Sequence, residues 1–153
     1  MTKLILGVVN IPYGDTPSKR KKNKKAGVTT LSVAEILEEK YHIMQHFWDK
    51  RGDKIADDLA KSYLNALKSR MMGAPTTLDP AGSALSQTST MFDKFISNRE
   101  IEKMGIAGVP TKAAKRGVNH RLAHPFAKDN PRRPSFDDTG LYKSSFRAWL
   151  EEK

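Results

Sequence analysis

The spacing of apolar residues predicts a pair of helices in the first half of the chain. Apolar side chains recur there every three or four residues, which is the period of one helix face. We predict two helices, over residues 33–50 and 54–72, with Gly52 ending or bending the first of them. Ser32 and Glu35 have the spacing of a capping box, so we expect Ser32 to cap the first helix. A third helix is predicted from Ala84 to Asn98 by a weaker helical repeat.

The pattern changes at the two ends of the chain. Leu4–Val9 is a short apolar run, far below the roughly 20 residues of a membrane span, and no signal-peptide cleavage site follows it. We interpret it as a strand or extended arm that can pair with another subunit. Near the other end, one helical turn at Leu141–Ser144 precedes alternating residues, which predict a strand over Ser145–Glu151.

Together these elements predict a single α+β domain over residues 1–153. It has two or three amphipathic helices, a small sheet of the N-terminal and C-terminal strands, and long extended loops. A short helical turn is expected after Thr111, which caps it, and Gly117 ends it. The predicted segments are an N-terminal strand or arm (1–14), a basic flexible loop (15–30), a helical core (31–104), an extended basic excursion (105–133) and a C-terminal aromatic segment (134–153).

Composition suggests that this domain buries part of its surface against neighbours. Only 38% of the residues are hydrophobic and the mean hydropathy is −0.59, which is low for a self-contained globule of 153 residues. The chain has no cysteine, so it can form neither a disulfide nor a cysteine metal site. That composition fits synthesis in a reducing cytoplasm.

The net charge of +10 is concentrated in two tracts. Residues 18–25 contain six basic side chains, and residues 103–133 contain eight basic and one acidic side chain. Such local charge predicts a local contact with either nucleic acid or an acidic protein surface. The residues expected to make it are Lys21, Lys22, Lys24, Lys25, Lys115, Arg116, Arg121, Arg132 and Arg133.

The sequence contains only weak candidates for a metal-binding or catalytic site. His42 and His46 have the i, i+4 spacing of a metal-binding helix face, but no third ligand accompanies them. His120 and His124 lie beside Asn119 in a manner faintly like a metal-dependent nuclease, again without the required carboxylate. Asp138-Thr139-Gly140 could form half of an aspartic protease site only together with a second copy. We therefore expect no catalysis, no cofactor and no metal.

The C-terminal segment carries a resemblance to a known class of proteins. Residues 134–144 read Pro-Ser-Phe-Asp-Asp-Thr-Gly-Leu-x-x-Ser. This order resembles the D-T-G-x-L-x-x-S segment of neck and tail-completion proteins of long-tailed bacteriophages. The runs at 108–114 and 120–125 are similar to virion proteins of contractile-tailed phages. The resemblance implies an α+β subunit in a six-fold or twelve-fold ring, with other neck, tail or baseplate proteins as partners.

The leading hypothesis is therefore a virion structural protein, made in the host cytoplasm, that forms a ring at the phage neck or tail. Its basic tracts would face DNA in the lumen or acidic neighbouring subunits, and no membrane would be involved. The alternative is a free nucleic-acid-binding protein without sequence preference. The residues expected at the subunit interface are Trp48, Phe136, Leu141, Tyr142, Phe146 and Trp149.

Overall fold

The structure is a computed structural model that describes residues 1–13, 27–75 and 79–152. The described part of the chain contains helices and a two-stranded antiparallel sheet, which confirms the α+β prediction with a sheet of N-terminal and C-terminal strands. The elements in chain order are β1 (Thr2–Val8), α1 (Thr30–Tyr41), α2 (Ile43–Met71), α3 (Gly82–Ser97), a 3₁₀ turn (Ile101–Lys103), α4 (Lys112–Lys115), α5 (Leu141–Ser145) and β2 (Phe146–Glu152).

The two strands pair with each other although they lie near opposite ends of the sequence. Val8 lies opposite Phe146 and Leu4 opposite Leu150 in an antiparallel register. Because side chains alternate along a strand, one face of β1 packs on the core while the other carries Ile5 and Gly7. One edge of the N-terminal arm is paired with β2 of the same chain, and its pairing with another subunit stays a prediction. The prediction of a helical turn followed by a C-terminal strand is confirmed.

An aromatic cluster forms the centre of the core. Phe92 stacks on Phe146 with ring centroids 4.0 Å apart, and Phe47 meets Phe92 edge-on at 5.2 Å. Phe95 lies 5.6 Å from Phe47 and is likewise fully buried. These rings join α2, α3 and β2, so the C-terminal strand is fixed by the helices as well as by β1.

The break between the first two helices lies at His42, and the predicted break at Gly52 is wrong. His42 adopts a left-handed conformation with φ of 49°, after which α2 runs without interruption to Met71. The Glu38 carboxylate accepts hydrogen bonds from the backbone N–H groups of Met44 and Gln45 at 2.7 and 3.1 Å, which stabilises the new helix start. Gly52 is buried inside α2.

The first helix begins earlier than its capping box predicted. Thr29 is the N-cap, and its hydroxyl accepts a hydrogen bond from the Ser32 backbone N–H while the Ser32 hydroxyl accepts one from the Thr29 N–H. Ser32 therefore belongs to the box as its third helical residue rather than as its cap. The buried Thr30 hydroxyl donates to the Val9 carbonyl at 2.5 Å and accepts from the Ile11 N–H, which ties α1 to the end of β1.

The basic excursion is irregular but held in place. Thr111 caps α4 and Gly117 follows it with φ of 70°, as predicted. A Cβ on Gly117 would lie 2.4 Å from the Asn130 carbonyl oxygen, so the chain crosses itself there at a distance that only glycine allows.

Candidate functional site

The Asp137–Gly140 turn is bound by the basic excursion. The Arg121 guanidinium donates to the Asp137 carboxylate at 2.6 Å and to the Asp138 backbone carbonyl at 2.7 Å. Asp138 in turn accepts from the His120 backbone N–H at 2.8 Å and lies 2.6 Å from His120 Nδ1. Two segments about 18 residues apart are thus locked together by charge-assisted hydrogen bonds.

The same turn is also tied to the helical core. Lys143 Nζ lies 3.1 Å from the Asp137 carboxylate and 3.2 Å from that of Asp93 in α3. Arg133 is only 9% exposed, and its guanidinium donates to the carbonyls of Val118 and Pro134. Burial lowers the pKa of Arg133 from its usual value, although the nearby aspartates oppose this shift.

Glu102 anchors the segment that leads into the turn. One oxygen of its carboxylate accepts hydrogen bonds from both the backbone N–H and the hydroxyl of Ser135, at 2.9 and 2.8 Å. The other oxygen pairs with the Arg132 guanidinium. Burial alone would raise the pKa of Glu102, but the Ser135 hydrogen bonds and Arg132 outweigh it and leave the pKa below its usual value.

These contacts divide the residues that were expected to meet DNA or an acidic partner. Arg121, Arg132 and Arg133 form ion pairs within the chain, and Arg133 is buried as well. Lys115 and Arg116 are exposed beside each other at the end of α4. The four lysines at 21, 22, 24 and 25 lie outside the described residues. Among the described residues of this set, Lys115 and Arg116 are therefore the pair left free for an external contact.

A cavity of about 710 Å³ opens beside the turn. Tyr41 and Phe136 line it, with their rings 5.0 Å apart, and the His120–Asp138 pair reaches its rim. Tyr142 also lines it, and its buried hydroxyl has no hydrogen-bond partner among the described residues. Asp138 orients the imidazole of His120. No group of three metal-ligating side chains occurs in the described residues, so neither histidine pair forms a recognisable metal site there.

The residues expected at a subunit interface fall into three groups. Tyr142 and Phe146 are core residues with almost no exposed surface, so an interface role is corrected for these two. Phe136 and Leu141 are half-buried. Trp48 and Trp149 remain 39% and 43% exposed, which keeps them available to a partner.

An exposed apolar surface at the end of α2 was not predicted as such. In the second half of α2, Leu67 is 55% exposed and Met71 is 80% exposed. The period-four repeat of this segment predicted an apolar helix face. It did not show whether that face lies in the core or at an interface. Helix length distinguishes a core face from an exposed one, because the 29-residue α2 extends beyond the 16-residue α3 that packs on it. The exposed side chains of this surface, which we call the α2 tip, are Tyr63, Leu64, Leu67, Met71 and Met72.

A smaller groove lies at the other end of α2. Leu4 and Leu6 of β1 form one wall, and Met44 and Trp48 of α2 form the other. The groove has a volume of about 360 Å³, and the Glu38 carboxylate reaches it. We call it the β1–α2 groove.

No protein-family description, curated protein or solved structure matches the chain. Within the described ranges, no helix combines the length and apolar character that crossing a membrane requires.

Proposed function

We propose that this chain is a structural subunit of a bacteriophage virion that assembles with copies of itself into a ring at the neck or tail. The observation that carries the proposal is the α2 tip, where five large apolar side chains are exposed on one projecting helix end. An apolar surface of this kind on a folded chain marks an interaction site. The resemblance of residues 134–144 to phage neck and tail-completion proteins supplies the setting.

The organisation of the turn supports a structural role for that segment. Asp137 pairs with Arg121 of the excursion and with Lys143 of α5, and Lys143 pairs in turn with Asp93 of α3. The carboxylates of Asp137 and Asp138 are thus engaged in contacts within the fold. A structural subunit needs such rigidity more than it needs a reactive group.

The native mass of the purified protein tests this proposal. A ring gives a discrete multiple of 17.1 kDa, expected as six or twelve copies, when measured by native mass spectrometry at low and moderate salt. Leu67→Glu places a charge in the α2 tip and should reduce the mass to that of one subunit. Asn65→Glu is the matched control, because it adds the same charge at an exposed position on the side of the helix opposite Leu67. A wild-type monomer that remains monomeric with phage neck and tail proteins would contradict the proposal.

Exposed basic residues favour one second candidate, which is nonspecific nucleic-acid binding. Lys112, Lys115 and Arg116 are exposed on the short helix α4 and its end. If they contact phosphates, DNA affinity should fall steeply as salt rises, since each neutralised phosphate releases counterions. Replacing Lys115 and Arg116 by Glu should then weaken binding to all sequences and reduce the salt slope by about two. An unchanged slope would rule out this contact.

A further inference from the structure

We propose that the α2 tip of one copy binds in the β1–α2 groove of the next copy. This inference rests on the proposed self-assembly and names the two surfaces that form the contact. It also defines a head-to-tail interface, in which each copy offers both a tip and a groove.

The α2 tip is apolar and basic. Its exposed apolar residues point out from the last three turns of the helix. Residues 60–75 contain Lys61, Lys68 and Arg70 and no acidic residue. Two tips brought together would therefore place like charges side by side, which disfavours a tip-to-tip dimer.

The β1–α2 groove has the complementary character. Its walls are aliphatic and aromatic, and Trp48 is the exposed ring that an incoming apolar side chain would cover. Glu38 lies in the groove, and the exposed Asp49 follows Trp48, where it accepts a hydrogen bond from the Gln45 side chain at 2.8 Å. A volume of about 360 Å³ lies at the low end of the range for ligand pockets and suits a few side chains such as Met71 and Leu67.

The two surfaces cannot meet within one chain. Both lie on α2, which is one continuous helix, and their centres are separated by about 23 residues. At 1.5 Å per residue this places them roughly 35 Å apart on a rigid rod. The contact must therefore join different copies, and repeated head-to-tail contacts generate a closed ring when their rotation closes and a filament when it does not.

Disulfide trapping gives a direct test, because the chain has no cysteine of its own. A variant with both Gln45→Cys and Met71→Cys should form a covalent ladder that extends past the dimer under mild oxidation. Equal amounts of the two single variants should give a covalent heterodimer and no larger species. The double variant Gln45→Cys with Asn65→Cys is the control, and it should form no ladder.

The outcomes separate this inference from the proposed function. A protein that forms rings by native mass but gives no ladder would overturn the tip-in-groove contact and leave the function standing. Disulfide dimers from Met71→Cys alone would indicate tip-to-tip pairing and overturn it as well. A strictly monomeric protein under all conditions would contradict both proposals.

Exchanging the charges of the α2 tip and the groove tests the electrostatic part of the proposed contact independently. Lys68→Glu with Arg70→Glu should weaken self-association about tenfold, because the tip would then repel Glu38 and Asp49. Adding Asp49→Lys to that variant should restore much of the loss. An exchange that weakens association further would show that Asp49 does not face the tip, which contradicts the docking arrangement.

Discussion

The two halves of α2 share one helical repeat of apolar residues, which is buried in the first half and exposed in the second. In the first half, Ile43, Phe47 and Ile55 are fully buried against α3, β2 and the chain after α3. In the second half, Leu67 and Met71 continue the apolar repeat into solvent. The sequence pattern is similar in both halves, and only the first has a partner within the described chain. The comparison shows that periodicity identifies an apolar face but not the molecule that covers it.

This division separates stability from assembly. Side chains in the first half contribute to the free energy of unfolding of the subunit, whereas those in the second half add little until another molecule binds. Substitutions along this single helix, and in a residue that pairs with it, should therefore have graded effects on unfolding. The four predictions that follow run from the largest expected effect to the smallest.

Phe47→Ala should have the largest effect, because it removes a ring that contacts Phe92, Phe95 and Phe146. The free energy of unfolding should fall by about 3–5 kcal/mol, through lost transfer free energy and the cavity left behind. Urea denaturation followed by circular dichroism measures this change. A loss below 1 kcal/mol would mean that the first half of α2 is not the core element described here.

Glu100→Gln should have the next largest effect and should depend on pH. Glu100 accepts from Arg51 at 2.7 Å and pairs with Lys50 at 3.0 Å, which fixes the first half of α2 to the chain after α3. Burial would raise the pKa of Glu100, but Lys50 and Arg51 outweigh it and lower the pKa below 4.5. We expect a loss of about 1–2 kcal/mol at pH 7.

The sign of the pH dependence follows from that lowered pKa. A carboxyl whose pKa is lower in the folded state stabilises the fold above its unfolded pKa, and this contribution disappears as pH falls through the folded pKa. The stability difference between wild type and Glu100→Gln should therefore be constant from pH 6 to 7 and shrink below about pH 4.5. A difference that grows on acidification would contradict the assignment of the ion pair.

Gly52→Ala lies between the two halves and should change stability by less than about 1 kcal/mol. Alanine favours the helix by roughly that amount, but its Cβ would lie 3.0 Å from the Trp48 ring. Because Trp48 is partly exposed, the ring can move into the groove, and the two effects largely cancel. In a Trp149→Phe background, the fluorescence of Trp48 should shift. Unchanged fluorescence with a large loss of stability would show that the ring cannot move.

Leu67→Ser should have the smallest effect on the isolated subunit, within about 0.5 kcal/mol, because its side chain is already more than half exposed. Unfolding should be measured at a concentration where the protein is monomeric, and self-association in a parallel experiment. The expected result is an intact subunit that no longer assembles. A loss of several kcal/mol in the monomer would mean that the second half of α2 is covered by its own chain.

The fold class and most elements could be predicted because they depend on local signals. The alternating residues after Leu141 predicted β2, and Thr111 with Gly117 predicted α4 and its end. The break at His42 was missed because a left-handed residue other than glycine has no strong sequence signal, and it depends on Glu38 capping the next helix. Gly52 was misread because an isolated glycine is tolerated in a helix that packs on both sides of it.

The candidate site was less predictable because its contacts are distant in sequence. Nothing near Arg121 indicates that its guanidinium binds Asp137, or that Ser135 binds Glu102 across 33 residues. The prediction from net charge treated these arginines as free to contact a partner, whereas in the fold they form ion pairs with other residues of the chain. Trp48 and Trp149, which were expected at a subunit interface, are partly exposed in the subunit, and their role at an interface stays a prediction.

The pairing of β1 with β2 has a kinetic consequence. Val8 and Phe146 are paired although 138 positions separate them, and closing a chain loop of that length costs about 4 kcal/mol in entropy. The sheet can therefore form only after the helices between the strands have shortened the distance. Substitutions in the sheet should then act mainly on the unfolding rate, while those in the helical core act on the folding rate. The lifetime of the folded subunit should therefore depend on the contacts between β1 and β2.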